Sequence, residues 1–189
     1  MNNFQRLAAD INVNPLLHSI MRQQHLWKED TYLRDYPQGP FAQIETIMLR
    51  FPSRSVHETE EALAKHLENF DQHENIDQPA YALLTDARPL VRALMTQVHG
   101  ERLGRVLINK IRPGGRIFPH ADEPVHAEYW DRYHFVLQST PGCLFRCGDE
   151  TVNMKTGEVW WFQNQIEHEV VNNGSDDRIH MVVDIRTQR

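Results

Sequence analysis

The fold is decided where the chain reads RVLINKIRPGGRIFPHAD, from residue 105 to residue 122. From Leu103 onward the helical spacing of the preceding segments gives way to alternation of apolar and polar residues. The cluster Pro113-Gly114-Gly115 is typical of a turn, and a second extended segment follows it. The stretch therefore predicts two β-strands joined by a turn, at the point where the chain changes from helices to strands.

More short strands are predicted toward the C-terminus, separated by turns such as Pro141-Gly142 and Asn173-Gly174. Many short strands with regular turns favour a β-sandwich or a barrel. The predicted strands of this part are Arg105–Arg112, Ile117–His120, Tyr133–Gln138, Leu144–Cys147, Thr151–Met154, Val159–Phe162, His168–Val171 and Arg178–Ile185.

Helical spacing dominates the first half of the chain, apart from one predicted strand at Ile44–Leu49. We expect a single domain, with a helix-rich portion at 1–102 packed on one outer sheet face and a β core at 103–189. The helix signals are a cap at Asn14 before Pro15, a capping box from Ser55 to Glu58 with a buried stripe at Leu63, Leu67 and Phe70, and a start at Asp86 with a stop at Gly100.

Composition is that of an ordinary globular protein: 40% of the 189 residues are hydrophobic and 24% are charged. There is no long apolar run and no basic segment followed by an apolar one, so we expect a cytoplasmic protein without membrane association. The net charge of -6 disfavours nucleic-acid binding through a broad basic face. Cys143 and Cys147 are too few for a structural zinc site and are expected to be buried thiols.

Three side chains of this region have the chemistry of a metal site. His120 and Asp122 are two residues apart in an extended segment, so both can face one ion, and His168 follows several strands later. Two histidines and one carboxylate on one face of a metal leave open positions for a chelating co-substrate and oxygen, as in non-haem iron(II) oxygenases. Alternatively, His120 and Asp122 belong to a surface turn and His168 is a structural histidine.

Arg178 begins the last predicted strand, on the face opposite the apolar residues Ile179, Met181, Val183 and Ile185. An arginine turned toward a metal cleft is costly without an anionic partner. The far carboxylate of 2-oxoglutarate would supply one. Arg132 and His134 share a face of another strand and either complete this anion site or meet a substrate carboxylate.

The C-terminal part, from Leu103 to Ile185, resembles the aspartyl/asparaginyl beta-hydroxylase family of double-stranded β-helix (cupin-like) oxygenases. The stretches that carry the resemblance are NKIRPGGRIFPHAD, RYHFVL and GEVWWFQNQIEHEVVNNGSDDRIHMVVD. The resemblance implies iron(II) on His120 and His168, 2-oxoglutarate on Arg178, and co-substrate contacts from Arg132, His134 and Asn109.

Asp122 departs from the animal aspartyl β-hydroxylases, which lack the carboxylate ligand. The chain is in this respect more similar to the bacterial members, which include free-proline hydroxylases. This similarity weakens the inference that an aspartyl residue of a protein is the substrate.

The expected function is therefore hydroxylation of an amino acid, or of an amino-acid side chain in a peptide or protein, with O2 as co-substrate and succinate and CO2 as co-products. A loop at 123–130 is predicted after the metal motif, with His126, Glu128 and Trp130 facing the substrate. Trp160, Trp161 and Phe162 either wall the site or belong to the core. A cupin-type metal enzyme without 2-oxoglutarate and a non-catalytic metal-binding module stay open as alternatives, and no feature indicates an oligomeric state.

Overall fold

The computed structural model describes residues 2–36, 39–53, 59–68 and 70–188, except for the side chains at positions 63, 66 and 67. Its strands are β1 (Phe4–Ala8), β2 (Ile44–Pro52), β3 (Asn75–Asp77), β4 (Gly100–Ile111), β5 (Arg116–His120), β6 (Asp131–Gln138), β7 (Cys143–Cys147), β8 (Glu150–Val152), β9 (Val159–Phe162), β10 (His168–Asn172) and β11 (Arg178–Thr187). Its helices are α1 (Asn14–Arg22), α2 (Leu26–Glu29), α3 (Tyr32–Asp35), α4 (Glu60–Glu68), α5 (Pro79–Leu83), α6 (Ala87–Gln97) and α7 (Pro124–Tyr129).

Two antiparallel sheets form the core of the fold. The large sheet has the strand order β1-β9-β6-β11-β4-β2-β3, and the small sheet has the order β5-β10-β7-β8. From β4 onward the chain passes repeatedly from one sheet to the other, with β7 and β8 as the one consecutive pair in the same sheet, so the two sheets enclose a shared interior. The predicted double-stranded β-helix with N-terminal helices is confirmed.

The last strand shows how alternation builds this arrangement. Ile179, Met181, Val183 and Ile185 are at most 6% exposed and lie in the core cluster that the helices cover. The opposite face of β11 carries Arg178, His180, Val182 and Asp184, which are also buried. One face therefore packs on helices and the other turns polar groups toward the small sheet.

The N-terminal helices pack on the large sheet as expected. Leu16 and Ile20 of α1, Leu84 after α5, and Val91 and Leu94 of α6 all belong to the same core cluster as the apolar face of β11. Burial of such side chains stabilises the fold by about 1.5–3 kcal/mol each. α3 is different, because its Leu33 packs against Met48, Phe51, Leu107 and Val182 on the other side of the sheet.

Two helix-end predictions were wrong in detail. Asn14 is the first residue of α1, and the Oδ1 atom of Asn12 accepts a hydrogen bond from its backbone nitrogen at 3.2 Å. Gly100 begins β4, and the residue with positive φ after α6 is His99, at 51°. The chain thus leaves α6 one residue earlier than the glycine predicted.

Strands β1 and β3 were not predicted, and both extend the large sheet from the N-terminal portion of the chain. β1 pairs with β9, and Phe4 packs at a ring-centroid distance of 5.3 Å from Phe145 of the small sheet. The sheet therefore contains strands from both sides of residue 102.

The predicted helix after Ser55 can be checked in part, because some of its residues are not described. The capping box from Ser55 to Glu58 and the side chains of Leu63 and Leu67 lie outside the described residues. Phe70, predicted to be buried, is 40% exposed, so that prediction was wrong.

Both cysteines are free and buried, as predicted. Within the described ranges, no helix has the length and apolar character to span a bilayer.

Candidate metal centre and adjoining cleft

His120, Asp122 and His168 meet between the two sheets at one end of the small sheet. His120 ends β5, His168 begins β10, and the two are direct partners across the antiparallel pair. Their ring centroids are 4.3 Å apart. One potential ligand atom from each of the three residues lies within 4.8 Å of the others. Strand pairing thus brings together the three predicted ligands, which come from two separate stretches of sequence.

Both imidazoles are oriented by their own chain. The Nδ1 atom of His120 lies 2.7 Å from the carbonyl of Phe118, and that of His168 lies 2.9 Å from the carbonyl of Ile166. A carbonyl can only accept, so each Nδ1 carries the proton and each Nε2 keeps a free lone pair. Burial lowers the pKa of His120, and it lowers the pKa of His168 to about 4. Both rings are held in the neutral form that binds metals.

Asp122 is held by one group on β6 and one in the turn after β9. Its Oδ2 atom accepts a hydrogen bond from the side chain of Asn164 at 3.2 Å and pairs with Arg132 at 2.7 Å. Its Oδ1 atom is the one turned toward His120, at 3.9 Å from Nε2. The carboxylate therefore presents one oxygen to the space between the histidines while the other is fixed by the protein.

Arg132 is itself anchored by Asp184, a fully buried residue of β11. Two guanidinium nitrogens of Arg132 reach the two oxygens of Asp184 at 2.7 and 3.0 Å, and His126 lies 2.9 Å from the same carboxylate. Burial alone would raise the pKa of Asp184 and lower that of Arg132, but the attraction between the charged groups is larger. It holds the pKa of Asp184 well below its usual range and the pKa of Arg132 above its usual value. Through Arg132, this buried network fixes the position of the Asp122 carboxylate.

Arg178 has a different environment. It is 2% exposed, its guanidinium lies 5.9 Å from the ring centroid of Phe145, and one of its nitrogens is 3.0 Å from Nδ1 of His180. Burial lowers the pKa of Arg178 to about 9, and no carboxylate of the described residues offsets the burial. His180 also contacts His134, with 3.3 Å between their Nδ1 atoms. A buried cation without an anion is the condition expected of an anion-binding residue.

A cavity of about 100 Å³ lies between the two sheets at the predicted metal ligands. Its walls include the predicted metal ligands together with Arg132, His134 and Asn109, and Asn109 accepts a hydrogen bond from Thr46 at 2.9 Å. Phe145 and Phe162 supply apolar walls from opposite sheets. Of the three aromatic residues considered from the sequence, Phe162 lines the cavity, while Trp160 and Trp161 pack in or against core clusters.

The segment after the metal motif was wrongly predicted to be a loop. Residues Pro124–Tyr129 form α7, because the side chain of Glu123 accepts a hydrogen bond from the backbone nitrogen of His126 and proline occupies the first turn. His126 lines the open cleft in front of the metal centre. Glu128 points to a separate surface hollow, and Trp130 is 0% exposed with its Nε1 donating to His73 at 3.1 Å.

A family model described as Aspartyl/Asparaginyl beta-hydroxylase matches residues 55–188. The chain belongs to this family.

Among curated relatives of this family member, the aspartyl/asparaginyl beta-hydroxylase of Mus musculus is 29% identical over 90 residues, which are 48% of this chain and 12% of that protein. The L-proline cis-4-hydroxylase of Rhizobium meliloti (strain 1021) is 27% identical over 77 residues, which are 41% of this chain and 28% of that protein. The match thus spans a small part of the length of either relative.

The fold of this family member is shared with a solved structure of low sequence identity. The viral collagen prolyl hydroxylase from Paramecium Bursaria Chlorella virus-1 superposes with a TM-score of 0.53 at 10% identity, over 99% of this chain and 97% of that one. The likeness concerns the arrangement of the two sheets over the whole length of the chain.

Two residues of the site were missed in the sequence. Asn164, which is 3% exposed, fixes Asp122 through both its backbone carbonyl and its side chain. Arg105 lines both the cavity and the cleft, and its Nε atom is buried without a hydrogen-bond partner among the described residues. Alternation along β4 puts Arg105 on the same face as Asn109, which is the signal that could have identified it.

Proposed function

We propose that this family member is an Fe(II)- and 2-oxoglutarate-dependent dioxygenase that hydroxylates an amino acid or an amino-acid side chain in a peptide or protein. The observation that carries the proposal is a cluster of two neutral histidines and one carboxylate, together with a buried arginine, Arg178, that has no carboxylate partner among the described residues. Membership of the aspartyl/asparaginyl beta-hydroxylase family supports it. The cytoplasmic location expected from the sequence stays a prediction.

The donor set fits a ferrous ion. His120, Asp122 and His168 offer two imidazole nitrogens and one carboxylate oxygen within 4.8 Å of each other, the combination that non-haem iron(II) oxygenases use. When bound, the iron with 2-oxoglutarate and O2 supplies the oxidising chemistry, and the 2-oxoglutarate leaves as succinate and CO2. The protein fixes the orientation of the three ligand side chains. It does so through the hydrogen bonds of Nδ1 in both histidines and the ion pair between Arg132 and Asp122.

The anion site fits the far carboxylate of 2-oxoglutarate. Arg178 would pair with it in a buried, charge-assisted contact, which is stronger than an exposed one. His134 and Asn109 line the cavity with the metal ligands, and His134 contacts His180, the neighbour of Arg178, so we assign them to the side of the bound co-substrate. Arg132 was predicted to contact the co-substrate as well, but its contacts with Asp122 and Asp184 favour a positioning role.

The test is formation of succinate from 2-oxoglutarate by the purified protein with Fe(II) and O2, with and without a panel of amino acids and short peptides. His120→Ala, Asp122→Ala and His168→Ala should each abolish succinate formation. Arg178→Met should raise the apparent KM for 2-oxoglutarate at least about tenfold, since a buried charge-assisted contact contributes about 2 kcal/mol or more.

The matched control is His25→Ala, a change at an imidazole that is 60% exposed, which should behave like the wild type. Full activity of His168→Ala would refute the ligand assignment. Turnover that needs the metal but not 2-oxoglutarate would favour the cupin-type alternative, and the absence of any turnover would favour the metal-binding module.

A further inference from the structure

The cleft in front of the metal centre contains an arginine that the proposed chemistry has not used. Arg105, Leu107 and Asn109 alternate along β4 and all line the cavity. Arg105 also lines the outer cleft, of about 490 Å³, together with His120, Asp122 and His126. It therefore stands where the cavity opens, on the side from which a substrate would approach the metal ligands.

Arg105 is half-buried and has no ion-pair partner within the described part of the chain. Its Nε atom is buried and has no hydrogen-bond partner among the described residues, and its guanidinium lies 5.0 Å from the centroid of the Phe51 ring. Contact with an aromatic face holds the guanidinium in position but does not supply the hydrogen-bond acceptor that its Nε–H lacks among the described residues. A half-buried arginine in this condition is completed by an anionic ligand.

The charged groups around Arg105 are already engaged with other partners. Glu123 also lines the outer cleft, and its carboxylate accepts a hydrogen bond from the backbone nitrogen of His126 at 3.2 Å. Among the described residues that line the cavity or the cleft, the other cation is Arg132, which is committed to Asp122 and Asp184. A divalent metal on Asp122 would add positive charge next to this network, and Arg178 would be neutralised by the co-substrate. Arg105 then remains as the positive charge that a monoanionic substrate group would offset.

Arg105 and Arg178 cannot share one small diacid. Arg178 pairs with Ile111 in the β4–β11 ladder, so it lies six positions from Arg105 along β4. At about 3.4 Å per residue this separation is about 20 Å, several times the span of a five-carbon dicarboxylate. The two arginines are therefore assigned to different ligands: Arg178 to the co-substrate and Arg105, which lines the cavity, to the substrate.

The outer cleft has apolar walls beside its charged groups. Tyr32, Tyr36, Phe41 and Phe51 line it, so an apolar group can pack beside the charged end of a ligand. One planar guanidinium matches one carboxylate bidentately, whereas phosphate sites usually gather several donors or cations.

We propose that Arg105 binds a carboxylate of the substrate and that the enzyme therefore takes carboxylate-bearing substrates, either a free amino acid through its α-carboxylate or an acidic side chain of a peptide. This inference rests on the proposed function, because it assumes that the reacting molecule lies in the outer cleft. Arg105 is a substrate-binding residue that selects substrates by their charge. Arg178, six positions further along the β4–β11 pair, is the residue that binds the co-substrate.

The test compares acids with their uncharged amides in calorimetric binding to the intact protein, loaded with Fe(II) and 2-oxoglutarate without oxygen. One arm uses L-proline and L-prolinamide, with the other free amino acids and their carboxamides. The second arm uses a blocked aspartyl peptide and its asparaginyl counterpart. The wild type should bind the acid of at least one arm roughly 10 to 100 times more tightly than the amide, as for a charge-assisted hydrogen bond.

Arg105→Met should reduce this ratio to about one, and Arg105→Lys should recover part of it. Arg92→Met, a change at an exposed arginine of α6, is the matched control and should keep the wild-type ratio. The proposal is overturned if Arg105→Met keeps the preference for the acid, or if the wild type prefers no acid of either arm, including the case in which none binds. Succinate formation is measured separately, so a failure of the proposed function is distinguishable from a failure of the role of Arg105.

Discussion

His180 is a buried imidazole with one nitrogen that lacks a partner among the described residues. Its Nδ1 atom accepts from Arg178, since a guanidinium can only donate, and its Nε2 atom is the unsatisfied one. Burial, and then the charges of Arg178 and His134, hold the pKa of His180 well below its ordinary value. The ring is therefore neutral in the folded protein.

This shift makes stability depend on pH. In the unfolded chain the imidazole takes up a proton below about pH 6.5, whereas the folded protein resists protonation, so the free energy of unfolding should fall as the pH drops below that value. One such group contributes a slope of up to about 1.4 kcal/mol per pH unit. Urea denaturation between pH 7.5 and pH 5 should show a shallower slope for His180→Gln than for the wild type.

The control for this experiment is His25→Gln, at an exposed position, which should keep the wild-type slope. The glutamine at position 180 retains an acceptor for Arg178 but has no proton to gain in this range. Equal slopes for His180→Gln and the wild type would show that His180 is not held neutral by its surroundings.

At the scale of elements, Asn172 joins the two sheets where β10 ends. Its side-chain nitrogen donates to the carbonyls of Ile111 in β4 and of Asp176, at 2.8 and 2.9 Å, and its Oδ1 atom accepts from the backbone of Gly174 and the thiol of Cys143. The residue is 0% exposed. It closes the end of the fold at which Arg178 begins β11.

Asn172→Ala should lower the free energy of unfolding by about 2–4 kcal/mol, because it leaves several buried backbone groups without partners. The next residue provides the comparison: Asn173 has an exposed side chain, so Asn173→Ala should change the value by no more than about 0.5 kcal/mol. Chemical denaturation of both variants measures the difference. Similar values for the two would mean that the bonds of Asn172 do not stabilise the junction.

The elements that the sequence analysis missed are short. β3 has three residues and α7 has six, so neither provides enough repeats for a period to be recognised. α7 did carry start signals, in Glu123 and Pro124, but its sequence has no apolar stripe of several turns. The long strands β2, β4 and β11 were predicted because their patterns extend over many residues.

At the scale of the whole molecule, ligand binding should stabilise the fold. A ligand that binds only the folded protein adds about 2.7 kcal/mol at a hundredfold excess over its Kd, which is roughly 5–10 °C in Tm for a chain of this length. We expect Mn(II), used in place of iron to prevent turnover, to raise Tm, and 2-oxoglutarate to raise it further only when the metal is present. Thermal denaturation with and without a chelator measures both effects.

Two variants separate the sites in this experiment. Asp122→Ala should lose the response to the metal, and Arg178→Met should keep that response but lose the further effect of 2-oxoglutarate. An equal metal response in Asp122→Ala and the wild type would place the bound ion elsewhere in the protein.

The sequence by itself determined the class of fold, the strands of the core and the three residues that meet between the sheets, because alternation, turn residues and the spacing of His120, Asp122 and His168 are local properties of the chain. It also placed Arg178 on the polar face of β11. Only the tertiary structure decided which charges form ion pairs: Arg132 is paired with Asp122 and Asp184, while Arg105 and Arg178 form no ion pair with a carboxylate of the described residues. The physical reason is that an ion pair depends on which strands become neighbours, and the period of a strand fixes the face of a side chain but not its partner.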